Sequence, residues 1–157
     1  MVRCQRRLEP KFSTSKYWTD GVTESITQGL GAMQEYLELC TKQIMEIVEL
    51  VRGKLPRQNR TTLEALVVLD VHARDVLGKL VEMKVSDPND FEWLAQLRYY
   101  WDKNEDDCIV RQSNAKFNYG YEYMGCTSRL VITPLTDRCW LTITGSIHLK
   151  LGAAPAG

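Results

Sequence analysis

Few side chains in this sequence could do chemistry, and their spacing sorts them. Cys139 and His148 lie nine positions apart with no third group placed to orient the histidine, so they do not read as a nucleophile–base pair. His72 has no second ligand four positions on, where a helical turn would put a zinc partner, and reads as a histidine at a core edge. Asp102–Asp107, DKNEDD, has the acidity of a calcium loop but neither the glycine at the sixth position nor the glutamate at the twelfth, so it reads as a solvated turn. Phe117, Tyr119, Tyr121 and Tyr123 alternate with Lys116, Asn118, Gly120 and Glu122, an aromatic strand face that could stack bases or pack on helices. The stretch with most to say is Arg129–Gly157: an apolar segment, Arg129–Thr136, closed by Pro134, then a helix over Asp137–Leu151 capped by Thr136, then the small-residue tail Gly152–Gly157.

The totals narrow the classes. At 157 residues the chain is one domain, or one domain and part of a second. Apolar residues make up 44% and charged residues 25%, enough for a core with an ordinary surface. Twenty basic residues balance twenty acidic ones, which argues against bulk binding to nucleic acid or anionic membrane and favours the packed reading of the aromatic strand. No apolar run approaches the roughly 20 residues of a membrane span. No apolar core of a signal peptide follows the basic N-terminus. Five scattered cysteines, odd in number and never in a C-x-x-C pair, point to reduced thiols in a cytosolic-type compartment.

The elements that must position these residues follow from periodicity. Met1–Lys16 shows no period and is expected to be a poorly ordered lead-in. Val22, Ile26, Leu30, Met33, Leu37, Cys40, Ile44, Ile47 and Val51 recur at helical spacing, predicting one long helix over Thr19–Arg52 with Thr19 as its cap and a bend at Gly29 and Gly31. Thr61-x-x-Glu64 fits a capping box opening a second helix to about Met83, antiparallel to the first, with Asp70 and Arg74 spaced to pair on its surface. Ser86-Asp87-Pro88 opens a short third helix with Phe91, Leu94, Ala95 and Leu97 turned inward. Arg98–Trp101 and Cys108–Gln112 form a hairpin around DKNEDD, and Phe117–Tyr123 is a third strand. The class is α+β and mainly α-helical: antiparallel helices, a small antiparallel sheet, then a C-terminal helix.

Six stretches go beyond pattern. Tyr17-Trp18-Thr19, Asp90-Phe91-Glu92-Trp93, Gln96–Trp101, Tyr119-Gly120-Tyr121-Glu122-Tyr123, Arg129-Leu130-Val131-Ile132-Thr133-Pro134-Leu135-Thr136-Asp137-Arg138-Cys139 and Leu149–Gly157 together resemble dynein heavy chains, most closely the axonemal ones. The resemblance runs in order from Tyr17 to the end, and GYEY…LVITPLTDRC is its most specific part. It implies that 17–124 is the C-terminal part of the linker, the lever over the motor ring, and that 125–157 begins the first AAA+ nucleotide-binding module. Arg129–Thr136 would then be the loop over the adenine of ATP. Backbone groups of Leu130, Val131 and Ile132 would meet the base edge, and Val131, Pro134 and Leu135 would wall it. Gly157 matches the first glycine of the phosphate loop, whose lysine and Ser/Thr do not follow, so no catalytic residue and no metal ligand is assigned. Two departures stand out: Gly152-Ala153-Ala154 where Gly-Gly-Ala is common, and Trp140 where Tyr is common.

The same resemblance implies ATP or ADP with Mg2+ as cofactors of the full-length parent, incomplete in these residues. The implied role is that of a piece of a minus-end-directed microtubule motor, coupling ATP hydrolysis to linker movement in ciliary and flagellar beating. It further implies the rest of the motor ring, intermediate and light chains and microtubules as partners, no nucleic acid or membrane, and a place in the cytoplasm, the cytoskeleton and the axoneme. The alternative is a truncated, non-catalytic dynein-like module that binds cytoskeletal partners through its helices. Cut from a complete module, the last 30 or so residues are expected to be loosely held.

Overall fold

A computed structural model describes residues 10–121 and 130–154, with backbone alone for 10–13. Its elements run α1 (Pro10–Gln28), α2 (Leu30–Arg52), α3 (Arg57–Glu82), α4 (Phe91–Leu94), β1 (Arg98–Asp102), β2 (Asp107–Gln112), β3 (Ala115–Asn118) and α5 (Pro134–His148). This is the expected α+β class: packed helices, a three-stranded antiparallel sheet in the order β1-β2-β3, and a C-terminal helix.

The predicted long helix is two helices. The chain folds back at Gly29, whose φ of 106° and ψ of 179° lie where only glycine is comfortable. The apolar period runs through this point unbroken because both helices present the same stripe to one core. Val22 and Ile26 of α1 meet Met33 and Cys40 of α2, with Tyr36 and Leu37 packed at the side. The return is close enough that a Cβ on Gly21 would run into the Tyr36 ring. Helix α1 starts at Pro10, inside the predicted lead-in, while residues 1–9 lie outside those described. Thr19 is therefore no cap but a fully buried mid-helix residue. Its hydroxyl donates to the Ser15 carbonyl at 2.8 Å and accepts the Tyr99 N–H at 3.1 Å, so a helix hydroxyl satisfies an amide of edge strand β1.

Helix α3 begins at Arg57, just after Pro56, so Thr61 sits one turn inside and donates to the Arg57 carbonyl at 3.2 Å instead of capping. Val76, Leu77 and Leu80 complete the core. Arg74 turns away from Asp70 and binds Asp75 through two N–H groups at 2.6 and 3.0 Å. Asp70 is left half-buried, and burial pushes its carboxyl up to about 6; it in turn adds to the burial that lifts the Cys40 thiol to about 11. Because the folded carboxyl titrates above its ordinary value near 4, the folded chain holds a proton that the unfolded chain has lost between about pH 4 and 6. Stability therefore falls as pH rises through that window and stays lower at pH 7. Asp70→Asn is expected to stabilise the chain by about 1 kcal/mol at pH 7, after allowance for solvent reaching this group, and to flatten the profile between about pH 4 and 6. Urea titrations at several pH values test this; a less stable Asn variant at pH 7 would mean that the carboxylate is favourably paired.

After α3 the third helix is shorter than its sequence suggests. Asp87 folds an Asx turn, accepting the Asn89 N–H at 2.8 Å, and the Asp90 carboxylate accepts the Ser86 and Asp87 N–H groups at 3.4 Å, so a turn takes the place of the expected helix start. The single turn that follows sets Trp93 (1% exposed) in the core and Phe91 (61% exposed) outside, the reverse of the inward face expected for Phe91. The hairpin is as predicted, with Arg98 opposite Arg111 and Asp102 opposite Asp107. Asp102 closes its turn by accepting the Asn104 and Glu105 N–H groups at 2.9 and 3.3 Å. The third strand stops at Asn118, sooner than the aromatic alternation predicts: Tyr121 has a φ of 52°, which ends the extended run, and Tyr123 lies outside the described residues. Tyr119 packs edge-on against Tyr99 and Tyr121.

A cleft between the third and fifth helices

Helix α5 starts three residues earlier than expected. Thr133 is the cap, its hydroxyl accepting the Thr136 N–H at 3.3 Å, and Pro134 takes the first helical position, where its missing N–H costs nothing. Asp137 then lies in the first turn, where the helix dipole favours a carboxylate. Farther along, Thr144 donates to the Gln112 amide oxygen at 2.8 Å, while the Gln112 amide nitrogen donates to the Ala95 carbonyl at 3.0 Å. That relay ties the last helix, none of whose described side chains is fully buried, through β2 to the end of α4.

Helix α5 packs on β2 and β3, and its start faces α3 across an open cleft of about 630 Å3. One wall is Ile132, Thr133, Pro134 and Asp137; the other is α3 from His72 to Glu82, with Leu37 and Thr41 of α2 at the floor. The cleft is open to solvent: Asp75, Lys79, Thr133 and Pro134 of its lining are exposed. Its charges are mixed, Arg74 and Lys79 against Asp75, Glu82 and Asp137, which is no phosphate cradle. His72 is partly buried in it. Burial lowers its pKa, Asp137 and Asp75 pull it back up, Lys79 pushes it down, and the net shift is downward. The imidazole is thus neutral at pH 7, with one N–H donor and one bare nitrogen acceptor. The two ring nitrogens point in diverging directions, so each meets a different partner.

The sequence-derived site residues divide. Ile132 and Pro134 line the cleft. Leu130 (72% exposed), Val131 (65%) and Leu135 (72%) stand in solvent and do not. Gly157 lies outside the described residues. What sequence reasoning missed is the opposite wall: His72, Asp75 and Lys79 share one side of α3 and meet Asp137 only through the fold. The i, i+3 and i+7 spacing of those three was a usable signal, since it places them on one helical face. No group of three or more His, Cys, Asp or Glu side chains able to hold a metal occurs among the described residues. No described helix is long and apolar enough to cross a membrane.

Comparison with known proteins meets this geometry at the same segment. A family model described as the hydrolytic ATP binding site of dynein motor region matches residues 119–157. Dynein axonemal heavy chain 1 of Homo sapiens is 54% identical over 141 residues, covering 90% of this chain and 3% of that protein. Dynein axonemal heavy chain 12 of Homo sapiens is 52% identical over 141 residues, covering 90% of this chain and 4% of that protein. Dynein axonemal heavy chain 3 of Homo sapiens is 49% identical over 144 residues, covering 92% of this chain and 3% of that protein. The chain thus spans about 3–4% of the length of these relatives.

Proposed function

Because this chain belongs with the axonemal dynein heavy chains over the 90% of its length that aligns, we propose that it is the joint between linker and first ATPase module in a microtubule motor of that type. In this reading residues 17–124 are the base of the linker and 125–157 open the module, within a parent that binds ATP or ADP with Mg2+ and works in the axoneme. The motor ring, intermediate and light chains and microtubules are the parent's partners. The observation that carries the reading is the shared cleft: Ile132, Thr133, Pro134 and Asp137 of the module side face His72–Glu82 of the linker side across one cavity. A group seated there touches both walls, so its arrival or departure moves one against the other. That is the mechanical requirement for nucleotide state to reach a lever.

The residues present fit the base end of a nucleotide and not its phosphate end. Ile132, Pro134, Leu37 and Val76 provide apolar surface for a ring, and neutral His72 offers a donor and an acceptor. The parent's ATP site would supply phosphate and Mg2+ binding. These residues bind and orient the base. Adenosine, ADP and ATP are therefore expected to bind the 157-residue chain with equally weak affinity, within about threefold, and without help from Mg2+. Ile132→Asp should lose that binding by at least about tenfold, since it puts a charge against the base. Titration calorimetry and an ATPase assay test it; Mg2+-dependent hydrolysis, or ATP binding about a hundredfold tighter than adenosine, would overturn it.

A further inference from the structure

One face of the sheet carries a row of three cations that the nucleotide reading does not use. Arg98 stands opposite Arg111, and Arg111 opposite Lys116, so all three project from the same face across the three strands. Like charges placed directly opposite are destabilising. Tyr100, on the same face, takes both guanidiniums, Arg98 at 5.8 Å and Arg111 at 5.4 Å from its ring centre. Arg98 is 5% exposed, donates to the Tyr100 hydroxyl at 3.1 Å and the Leu94 carbonyl at 3.3 Å, and keeps a buried Nε without a partner.

Among the described residues no carboxylate compensates them by contact. Among the described residues the ion pairs are Lys16–Asp20, Arg52–Glu49 and Arg74–Asp75, and none involves this row. The two acids on the face are engaged elsewhere. Asp102 accepts the N–H groups of its own turn, and those bonds chiefly hold its carboxyl below the usual range, with Lys116 and Arg111 adding to the effect. Asp107 accepts the Cys108 N–H at 2.7 Å. A nearly buried arginine without a counter-ion, beside two exposed like charges, is a local conflict of the kind that folds keep at working surfaces.

The geometry points to a docking face for an acidic helix of a protein partner, with carboxylates one turn apart. Cross-strand neighbours are about 5 Å apart, the spacing of i and i+4 side chains on a helix, whereas carboxylates on one face of an extended strand are nearer 7 Å apart. Arg111 and Lys116 are exposed and take the carboxylates directly, Arg111 through its two-pronged guanidinium. Arg98 adds its charge from beneath Tyr100. A three-cation row in a chain of zero net charge is too short a track for a nucleic-acid backbone. The face is separate from the cleft, and its test does not depend on nucleotide binding.

The test uses the whole 157-residue chain and an alanine-rich helical peptide of about 20 residues with glutamates at i, i+4 spacing, against the same peptide with glutamines. Fluorescence anisotropy should show the glutamate peptide binding at least about tenfold more tightly, and losing about tenfold in affinity when salt rises from about 50 to 200 mM. The double variant Arg111→Gln/Lys116→Gln should lose at least about tenfold in affinity with a melting temperature unchanged or raised, since it relieves repulsion. Lys42→Gln/Lys54→Gln removes the same charge elsewhere and should keep the affinity. Equal binding of the two peptides, retained affinity in the first double variant, or equal loss in the second would overturn the proposal. So would displacement by inorganic phosphate beyond that by chloride of equal ionic strength, which would make the row a phosphate site, or a melting temperature of the first double variant lowered by more than about 5 °C, which would make it structural.

Discussion

Trp93→Ala is expected to remove about 3–5 kcal/mol of stability, lowering the melting temperature by roughly 10–15 °C in a chain of this size. Trp93 is the largest fully buried side chain. It meets Trp18 of α1 edge-on at 5.5 Å, and the Arg98 guanidinium lies 5.9 Å from its ring centre. One side chain thus joins the helical core to the root of β1, and its removal leaves a cavity beside Trp18. It also takes an aromatic surface from a buried cation. Phe91→Ala, two residues earlier and mostly exposed, should cost less than about 0.5 kcal/mol. Thermal and urea unfolding of the two variants decide the point: similar losses would mean that the single turn of α4 does not select which aromatic the core receives.

The second large effect is at the fold-back. Gly29→Ala is expected to destabilise by about 1–3 kcal/mol, because the positive φ and extended ψ there exclude a Cβ on backbone grounds. Space is not the reason, since nothing lies within 4 Å of where that Cβ would stand. The strain has one obvious escape, which is to straighten α1 and α2 into the single helix that their common apolar period permits. That would pull Val22 and Ile26 off Met33 and Cys40, so helicity by circular dichroism should hold or rise while stability falls. Gly78→Ala, in the middle of α3 with open space at its Cβ, should instead stabilise by about 0.5–1 kcal/mol through helix propensity alone. The same substitution is thus expected to carry opposite signs at the two sites; equal signs would remove the need for a turn at Gly29.

These two sites also mark how far the sequence could be read. Periodicity revealed helices, hairpin and class because burial on one face leaves a trace along the chain. It could not reveal the break at Gly29, since two helices sharing a core carry the same stripe as one, and two glycines announced only a bend. Thr19 and Thr61 were good caps by residue type, yet Pro10 and Pro56 set the starts, and a threonine inside a helix satisfies its hydroxyl on the carbonyl four residues back. Phe91 was expected inward and Trp93 was not among the expected core residues; the Asx turn at Asp87 sets the phase of α4 the other way. Of the site, Ile132 and Pro134 were legible through the resemblance to dyneins. His72, Asp75 and Lys79 showed one shared helical face in their spacing, but nothing along the chain said that the start of α5 faces them.

On the proposed function, the wall at Ile132–Asp137 and the wall at His72–Glu82 close on one nucleotide base. Hydrogen exchange with and without millimolar ADP tests it most directly. The account predicts that amides in Leu130–Asp137 and in α3 around His72–Lys79 gain protection together, and that Ile132→Asp abolishes both gains at once. Protection confined to one wall, or appearing instead along β1–β3, would contradict it.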